Sequence, residues 1–460
     1  MDTLVDPYLT EMHHHKPLRF PVRGWLLVLF VVGMSLRLGI AFKLGLNAPP
    51  FSDSKEYDAY AWNLAQGNGY RGMSPDVTDP NHLTAHRAPG TSILWAALYR
   101  VFGHRYSVVR ITNCLLGAIT MFVIYGIGKY CFSEPVGWFS ASAFAIWPTS
   151  LLYSTQLISE PLFTFLLLWY LLVSLQVGRH PTVGRAIAAG LLLGLSILTR
   201  ANAVLMIPLA GLWAWWQFQG RRKNLLIGLT IPIVAIVTLI PWSIRNYAVF
   251  HEFLPFGTGG GEVFLGGNNR VAASDPVYYG YWVSPTSLPE YRDQLKEPND
   301  EVRLDRLENK LAWQWLKEHP SRWWYLFQAK VRRSLTPILA PDSPRLYRIG
   351  MLLAWGPVLV LSALSIFPTA VSFFRSKHPG WILHLAVLDF ALTAVIFWGG
   401  SRFRYPVEGL FLILAFVSAF WLWDKLPGGS RTTWRAADNP QPGEHPHEVL
   451  PGGPAKRGRW

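Results

Sequence analysis

The stretch WLLVLFVVGMSLRLGIAFKL, residues 25–44, is apolar throughout except for Arg37 and Lys43. A helix needs about 20 mostly apolar residues to cross the hydrocarbon of a bilayer. The run is too long for a signal peptide and has no small-residue cleavage site, so it reads as a retained helix. Nine more runs of comparable character follow at 108–128, 136–155, 161–177, 185–200, 202–218, 225–243, 347–372, 381–398 and 405–423. A shorter apolar stretch at 89–102 reads as a re-entrant or interfacial helix. The expected fold class is therefore all-α: a polytopic integral membrane protein with about ten transmembrane helices, plus re-entrant or interfacial helices on its outer side.

Composition excludes most alternatives. Of the 460 residues 51% are hydrophobic and only 15% charged, against roughly 25% charged in a soluble protein. The 22 Trp suit side chains that anchor at headgroup level. A formal charge of +14 invites a nucleic-acid reading. The basic residues, however, are scattered in short loops beside apolar runs, where membrane orientation explains them. No nucleic-acid partner is expected. Cys114 and Cys131 lie in or beside one apolar segment, so no disulfide framework is expected.

Lys and Arg in short loops favour the cytoplasm, whereas long loops are largely exempt. An inside N-terminus sends Arg179, Arg185, Arg221, Arg222, Lys223, Arg375 and Lys377 to the cytoplasm. The opposite side receives two long segments, 45–107 and 244–346, and short junctions near 156–160, 200 and 399–404. Letting 89–102 span would put Arg221, Arg222 and Lys223 outside, which is the worse arrangement. The chain then divides into a cytoplasmic tail (1–24), a membrane domain (25–243) that includes the first external loop, an external loop (244–346), terminal spans (347–423) and a basic cytoplasmic tail (424–460). The tails are polar and read as disordered, which makes His13, His14 and His15 a flexible tract rather than a metal site. Within the second external segment, apolar residues at helical spacing between Asp300 and Ser334 predict two amphipathic surface helices separated at Pro320.

The residues suited to chemistry gather on the outer side. Asp53 precedes a helical pattern that puts Tyr57, Tyr60 and Leu64 on its own face. The same Asp53 could open a capping box with Glu56, and the residues alone leave both readings open. Glu160 sits at a helix start before Pro161, where an acid also complements the helix dipole. Arg200, Arg245, Arg402 and Arg404 stand at helix ends. Arginines there can snorkel to headgroups, but guanidinium also binds phosphate through paired hydrogen bonds. Three junctions meeting on one face favour phosphate binding for Arg200 and Arg404, with Arg245 and Arg402 behind them. Arg37, inside a span, suggests an ion-pair partner in the core. The glycine-rich run 257–267 lacks a Gly-Lys-Ser/Thr ending and any strand-to-helix context, so it reads as a flexible loop over the site.

Seven stretches in this order carry a resemblance: PPFSDSKEY (49–57), RAPGT (87–91), SEPLF (159–163), LTRANA (198–203), PWSIRNY (241–247), LGGNN (265–269) and GGSRFRYP (399–406). Together they resemble the polyprenyl-phosphate-sugar-dependent glycosyltransferases of the membrane C-type (GT-C) fold, a group that includes protein O-mannosyltransferases and the lipid A aminoarabinose transferase. The resemblance covers about residues 25–410. It implies an inverting transfer of sugar from a polyprenyl-phosphate donor to a hydroxyl of a glycan, lipid or protein acceptor, on the non-cytoplasmic face. Asp53 matches the family's catalytic base, and Glu160 matches an acid that organises the site with a basic partner, here Arg87. Arg200, Arg245, Arg402, Arg404 and Tyr57 complete the substrate-binding set. Membrane lipids are the remaining partners. No cofactor is expected and, with no ligand-spaced Cys/His pair and no outer Asp-x-Asp, no metal either. The small external segments fit a bacterial inner membrane. Two rivals are a flippase for lipid-linked sugars and a lipid-linked oligosaccharide ligase, which would share the outer arginines.

Overall fold

A computed structural model describes residues 22–73, 79–296, 300–336 and 345–426. The His13–His15 tract and nearly all of both tails lie outside the described residues. The chain is helical. It opens with α1 (Val22–Leu44), α2 (Asp53–Ala65), α3 (Gly90–Phe102), α4 (Tyr106–Cys131), α5 (Glu134–Ala145) and α6 (Pro148–Ser154). Next come α7 (Glu160–Arg179), α8 (Val183–Thr199), α9 (Met206–Gln217) and α10 (Arg222–Phe250). Outside these lie α11 (Gly260–Gly267), α12 (Arg270–Ser274), α13 (Pro289–Lys296), α14 (Glu301–Glu318) and α15 (Trp323–Leu335). The chain closes with α16 (Arg345–Arg375), α17 (Trp381–Ile396) and α18 (Ser401–Trp423). Among the described residues the β structure amounts to one isolated bridge, Arg71 to Leu83.

Six of these helices, α1, α4, α7, α10, α16 and α18, are long and apolar enough to cross a membrane; α8 and α17 are apolar but shorter. Length alone thus gives fewer spans than the ten apolar runs. The run 136–155 is two helices, because Pro148 begins α6 and has no amide hydrogen to continue α5. The run 202–218 starts as a 3-10 turn at Ala201–Ala203 and leaves α9 with 12 residues. The stretch 89–102 is α3, whose 13 residues reach about 20 Å at 1.5 Å per residue, short of a crossing.

Burial separates central from peripheral helices. In α7 and α18 67% of the apolar window is buried, against 17% in α1. Outward-facing Val31 and Phe42 on α1, Ile233 and Ile236 on α10, and Val360 and Phe367 on α16 are exposed, as lipid-facing side chains would be. Between α8 and α10 the backbones approach closely because Gly190 and Gly194 lack side chains. A Cβ at Gly194 would stand 2.5 Å from Cβ of Thr238. Small residues four apart are the usual way for apolar helices to touch where burial of oil against oil provides no drive.

Arg37 does not pair with an acid. Its guanidinium donates to Ala145 O at 2.8 Å, to Gly33 O at 2.9 Å and to Ser150 Oγ at 2.6 Å. Ala145 is the last residue of α5, so Arg37 satisfies a carbonyl that the break before Pro148 leaves open. Cys114 and Cys131 are buried free thiols.

The segment α11–α15 has a small core of its own, formed by Phe264, Leu265, Leu288, Tyr291, Leu304 and Leu311. α14 ends at Glu318, Pro320 opens a 3-10 turn, and α15 follows. The glycine-rich run is not a flexible loop: residues 260–267 form α11. Its glycines permit contact, since a Cβ at Gly261 would lie 2.2 Å from Asp305 O and one at Gly267 1.8 Å from Phe397 O.

Candidate functional site

α7 begins where α8 ends, so an antiparallel pair brings Glu160 and Arg200 to one end of the bundle. α18 starts at the same end. Glu160 is buried at the first position of α7, and its Oε1 accepts from Arg200 Nη1 at 2.6 Å and from Arg402 Nε. Ser159 Oγ, next to it, accepts from Arg200 Nη1 at 2.9 Å and from the Tyr57 hydroxyl at 3.3 Å. Arg402 reaches onward to Asp53, with Nη1 2.8 Å from Oδ2. One guanidinium therefore bridges the two acids singled out in the sequence.

Asp53 opens α2. It is not a helix cap in the structure; the cap position is Ser52, which makes no capping side-chain bond and holds a positive φ of 50°. A non-glycine residue in that region carries backbone strain, which is common beside functional groups. The Asp53 side chain keeps 28% of its surface exposed, so a hydroxyl can reach it. Burial would raise its pKa, but Arg402 and then Arg87 outweigh burial and hold the carboxyl well below the usual range.

The expected Arg87–Glu160 pair does not form. Arg87 Nε instead binds Glu56 Oε2 at 2.6 Å, and Nη2 lies 3.7 Å from Asp53 Oδ1. Burial opposes charge on Arg87, but Glu56 and Asp53 override it and raise its pKa well above normal. Burial raises that of Glu56, against the pull of Arg87. His86 is buried within 3.6 Å of Glu56 and 3.5 Å of Glu262. Burial, with Arg87 adding to it, pushes its pKa well below normal, so the ring is neutral and these contacts are not ion pairs. Glu56, His86 and Ser159 were not among the sequence candidates. Each is within three positions of one that was, which is the signal that could have found them.

Two other arginines lie elsewhere. Arg245 donates to Thr84 O at 2.8 Å and Tyr70 O at 3.0 Å, amid the rings of Tyr70, Trp242 and Phe250. It braces the ribbon before α3. Arg404 is wholly buried, paired with Glu408 at 2.7 Å, bonded to Ser334 O and Thr336 O, and set 4.0 Å over the Trp355 ring. Arg404 is a core residue, not part of the cluster.

Beneath the cluster lies a small cleft between α7, α17 and α18. Its lining combines the polar Arg200, Arg402, Asn202, Asp389 and Thr393 with the apolar Phe163, Leu167, Phe390 and Val407. The buried Arg402 Nη2 has no hydrogen-bond partner. Among the described residues no three His, Cys, Asp or Glu side chains are placed to hold a metal ion.

Residues 86–244 match the family model described as dolichyl-phosphate-mannose-protein mannosyltransferase. Among solved structures, the archaeal oligosaccharyltransferase AglB from Archaeoglobus fulgidus, in complex with an inhibitory peptide and a dolichol-phosphate, superposes with a TM-score of 0.52 at 14% identity. The alignment covers 87% of this chain and 51% of AglB. The fold is GT-C. The chain spans about half the length of AglB. ArnT from Cupriavidus metallidurans bound to undecaprenyl phosphate also aligns, at a TM-score of 0.44 and 14% identity over 87% of this chain and 80% of ArnT. A comparison with curated protein sequences returns no match. This GT-C chain is a multi-pass membrane protein whose clustered acids and guanidiniums sit where α7, α8 and α18 meet the α2 loop.

Proposed function

We propose that the protein is an inverting glycosyltransferase that moves a sugar from a polyprenyl-phosphate carrier to an acceptor hydroxyl on the non-cytoplasmic face, in a bacterial inner membrane. The observation that carries this reading is the bridge through Arg402, which ties Asp53 to Glu160 and leaves Nη2 unpaired in an apolar-walled cleft. An incoming lipid phosphate offers an oxygen that Arg402 Nη2 lacks, with Arg200 alongside in the same lining.

The acceptor oxygen attacks the anomeric carbon, the bond from that carbon to the phosphate oxygen breaks, and the acceptor proton passes to Asp53. The products are the inverted glycoside and the free polyprenyl phosphate. Arg200 and Arg402 stabilise the charge that grows on the departing phosphate, as fixed charges in a dry site do effectively. A carboxylate gripped by Arg402 is a weak base. When the phosphate draws Arg402 away, Asp53 loses its strongest stabilising cation and becomes a better one, which couples donor binding to deprotonation.

The test uses purified protein in nanodiscs with radiolabelled polyprenyl-phosphate sugars and membrane extract as acceptor source. Asp53→Asn is expected to lower label transfer roughly 10²–10⁴-fold, the range for a positioned general base, without loss of folded protein. Label that crosses the bilayer still attached to its carrier, equally in both proteins, would replace the transferase by a flippase.

A further inference from the structure

Three buried acids stand in or at the ends of the central helices. Glu160 has Arg200 and Arg402, and Glu408 has Arg404, Trp147 Nε1 at 2.8 Å and the Thr149 hydroxyl. Asp389, in the middle of α17, differs. It is only 5% exposed, lines the same cleft as Arg200 and Arg402, and its Oδ1 has no hydrogen-bond partner. Asn202 and Thr393 stand beside it in the lining. Thr393, one turn further along α17, donates to Asn202 O at 3.4 Å and ties this wall to the turn that follows Arg200.

A buried carboxyl oxygen without a donor costs free energy, and an apolar residue of similar size would avoid that cost. The cleft lining thus holds two guanidiniums at helix ends and, midway along α17, an unsatisfied acceptor. A molecule matching both is anionic at one end and carries a hydroxyl or ammonium donor close by, which is the chemistry of a sugar linked to phosphate. We infer that Asp389 is a specificity-determining binding residue that accepts a hydrogen bond from the sugar of the lipid-linked donor, while Arg200 and Arg402 hold its phosphate. This deepens the transferase reading and rests on it for the choice of ligand.

The experiment measures binding, not turnover. Full-length protein in nanodiscs is titrated with undecaprenyl phosphate, and with undecaprenyl phosphates bearing glucose, mannose or 4-amino-4-deoxyarabinose. Wild type should bind one sugar-bearing carrier more tightly than the bare one. Asp389→Leu should weaken that carrier roughly 10-fold, the effect of losing a hydrogen bond, while bare undecaprenyl phosphate binds as before and so reports an intact fold. Asp389→Asn keeps an acceptor oxygen but cannot ionise. Near-normal affinity in that variant identifies a sugar hydroxyl, and a loss equal to that of Asp389→Leu identifies an ammonium. Equal weakening of bare and sugar-bearing carriers, no weakening, or a wild type that prefers no sugar would each overturn the inference. A preference that Asp389→Leu abolishes, with no transfer to any acceptor, would leave this inference standing and remove the transferase reading instead.

Discussion

Arg402 and Arg404 stand two positions apart on α18 and do opposite things. Two steps of an α-helix turn a side chain by about 200°, so residues i and i+2 cannot share a face. Arg402 takes the site and Arg404 the core. Removing one partner of a buried ion pair strands the other charge, so Arg404→Ala should cost about 3–5 kcal/mol. The double change Arg404→Leu with Glu408→Leu should recover much of that. Thermal melting in detergent checks both. Arg402→Ala should melt close to wild type, because Glu160 keeps Arg200, yet lose about 10²-fold or more in turnover. A wild-type rate in Arg402→Ala would remove Arg402 from the chemistry. The resemblance offered both arginines as phosphate ligands, and helical phase tells them apart. That Arg87 meets Glu56 rather than Glu160 was not legible in the same way, since it depends on how the approach to α3 sits against α2 and α7.

At the scale of elements, α11 and α14 carry a pH dependence. Asp305 on α14 accepts from Gly261 N at 2.6 Å, but burial outweighs that bond and pushes its pKa from 3.8 to about 6. Folding therefore favours the protonated acid. That contribution is whole below about pH 4 and disappears as pH rises through about 6; at roughly 1.4 kcal/mol per unit its upper size is about 3 kcal/mol. Asp305→Asn should melt above wild type at pH 7.5 and level with it at pH 4; a constant offset across that range would dismiss the explanation. At α8–α10, Gly194→Ala should destabilise by about 1–3 kcal/mol through overpacking against Thr238, again read by melting. The apolar runs made most helices visible because a bilayer fixes their length. The break inside 136–155 was masked because average hydropathy does not register the missing amide of Pro148. The glycine-rich run misled for a related reason: glycine signals freedom in isolation, but at 260–267 it serves close contact.

The whole molecule presents two kinds of apolar surface. One is aliphatic, on α1, α10 and α16. The other is aromatic, where Trp313, Trp323, Trp324 and Tyr325 are each at least half exposed around the α14–α15 turn. Indole rings with a polar edge favour headgroup depth. Lipids brominated near the headgroup should therefore quench wild-type tryptophan emission more strongly than they quench Trp323→Ala/Trp324→Ala, and equal quenching would detach this turn from the membrane surface. The convergence of junctions at one end of the bundle was readable from alternating helix direction alone. The depth of the cleft and the isolation of Asp389 were not, since they depend on how α17 leans on α7 and α18.

In the transferase reaction proposed above, the bridge through Arg402 would also bear on how a cycle finishes. A carrier that has given up its sugar is a phosphomonoester and has more negative charge than the diester that arrived, so two guanidiniums would hold it the harder. Asp53 and Glu160 are resident anions with a standing claim on Arg402. In that reaction they would close over the vacated guanidinium as each spent carrier loosens, acting as tethered competitors that never diffuse away. Release of the carrier, and with it the pace of successive rounds of the proposed reaction, would then be set by a contest between an ion pair inside the protein and a phosphate that must return to the bilayer.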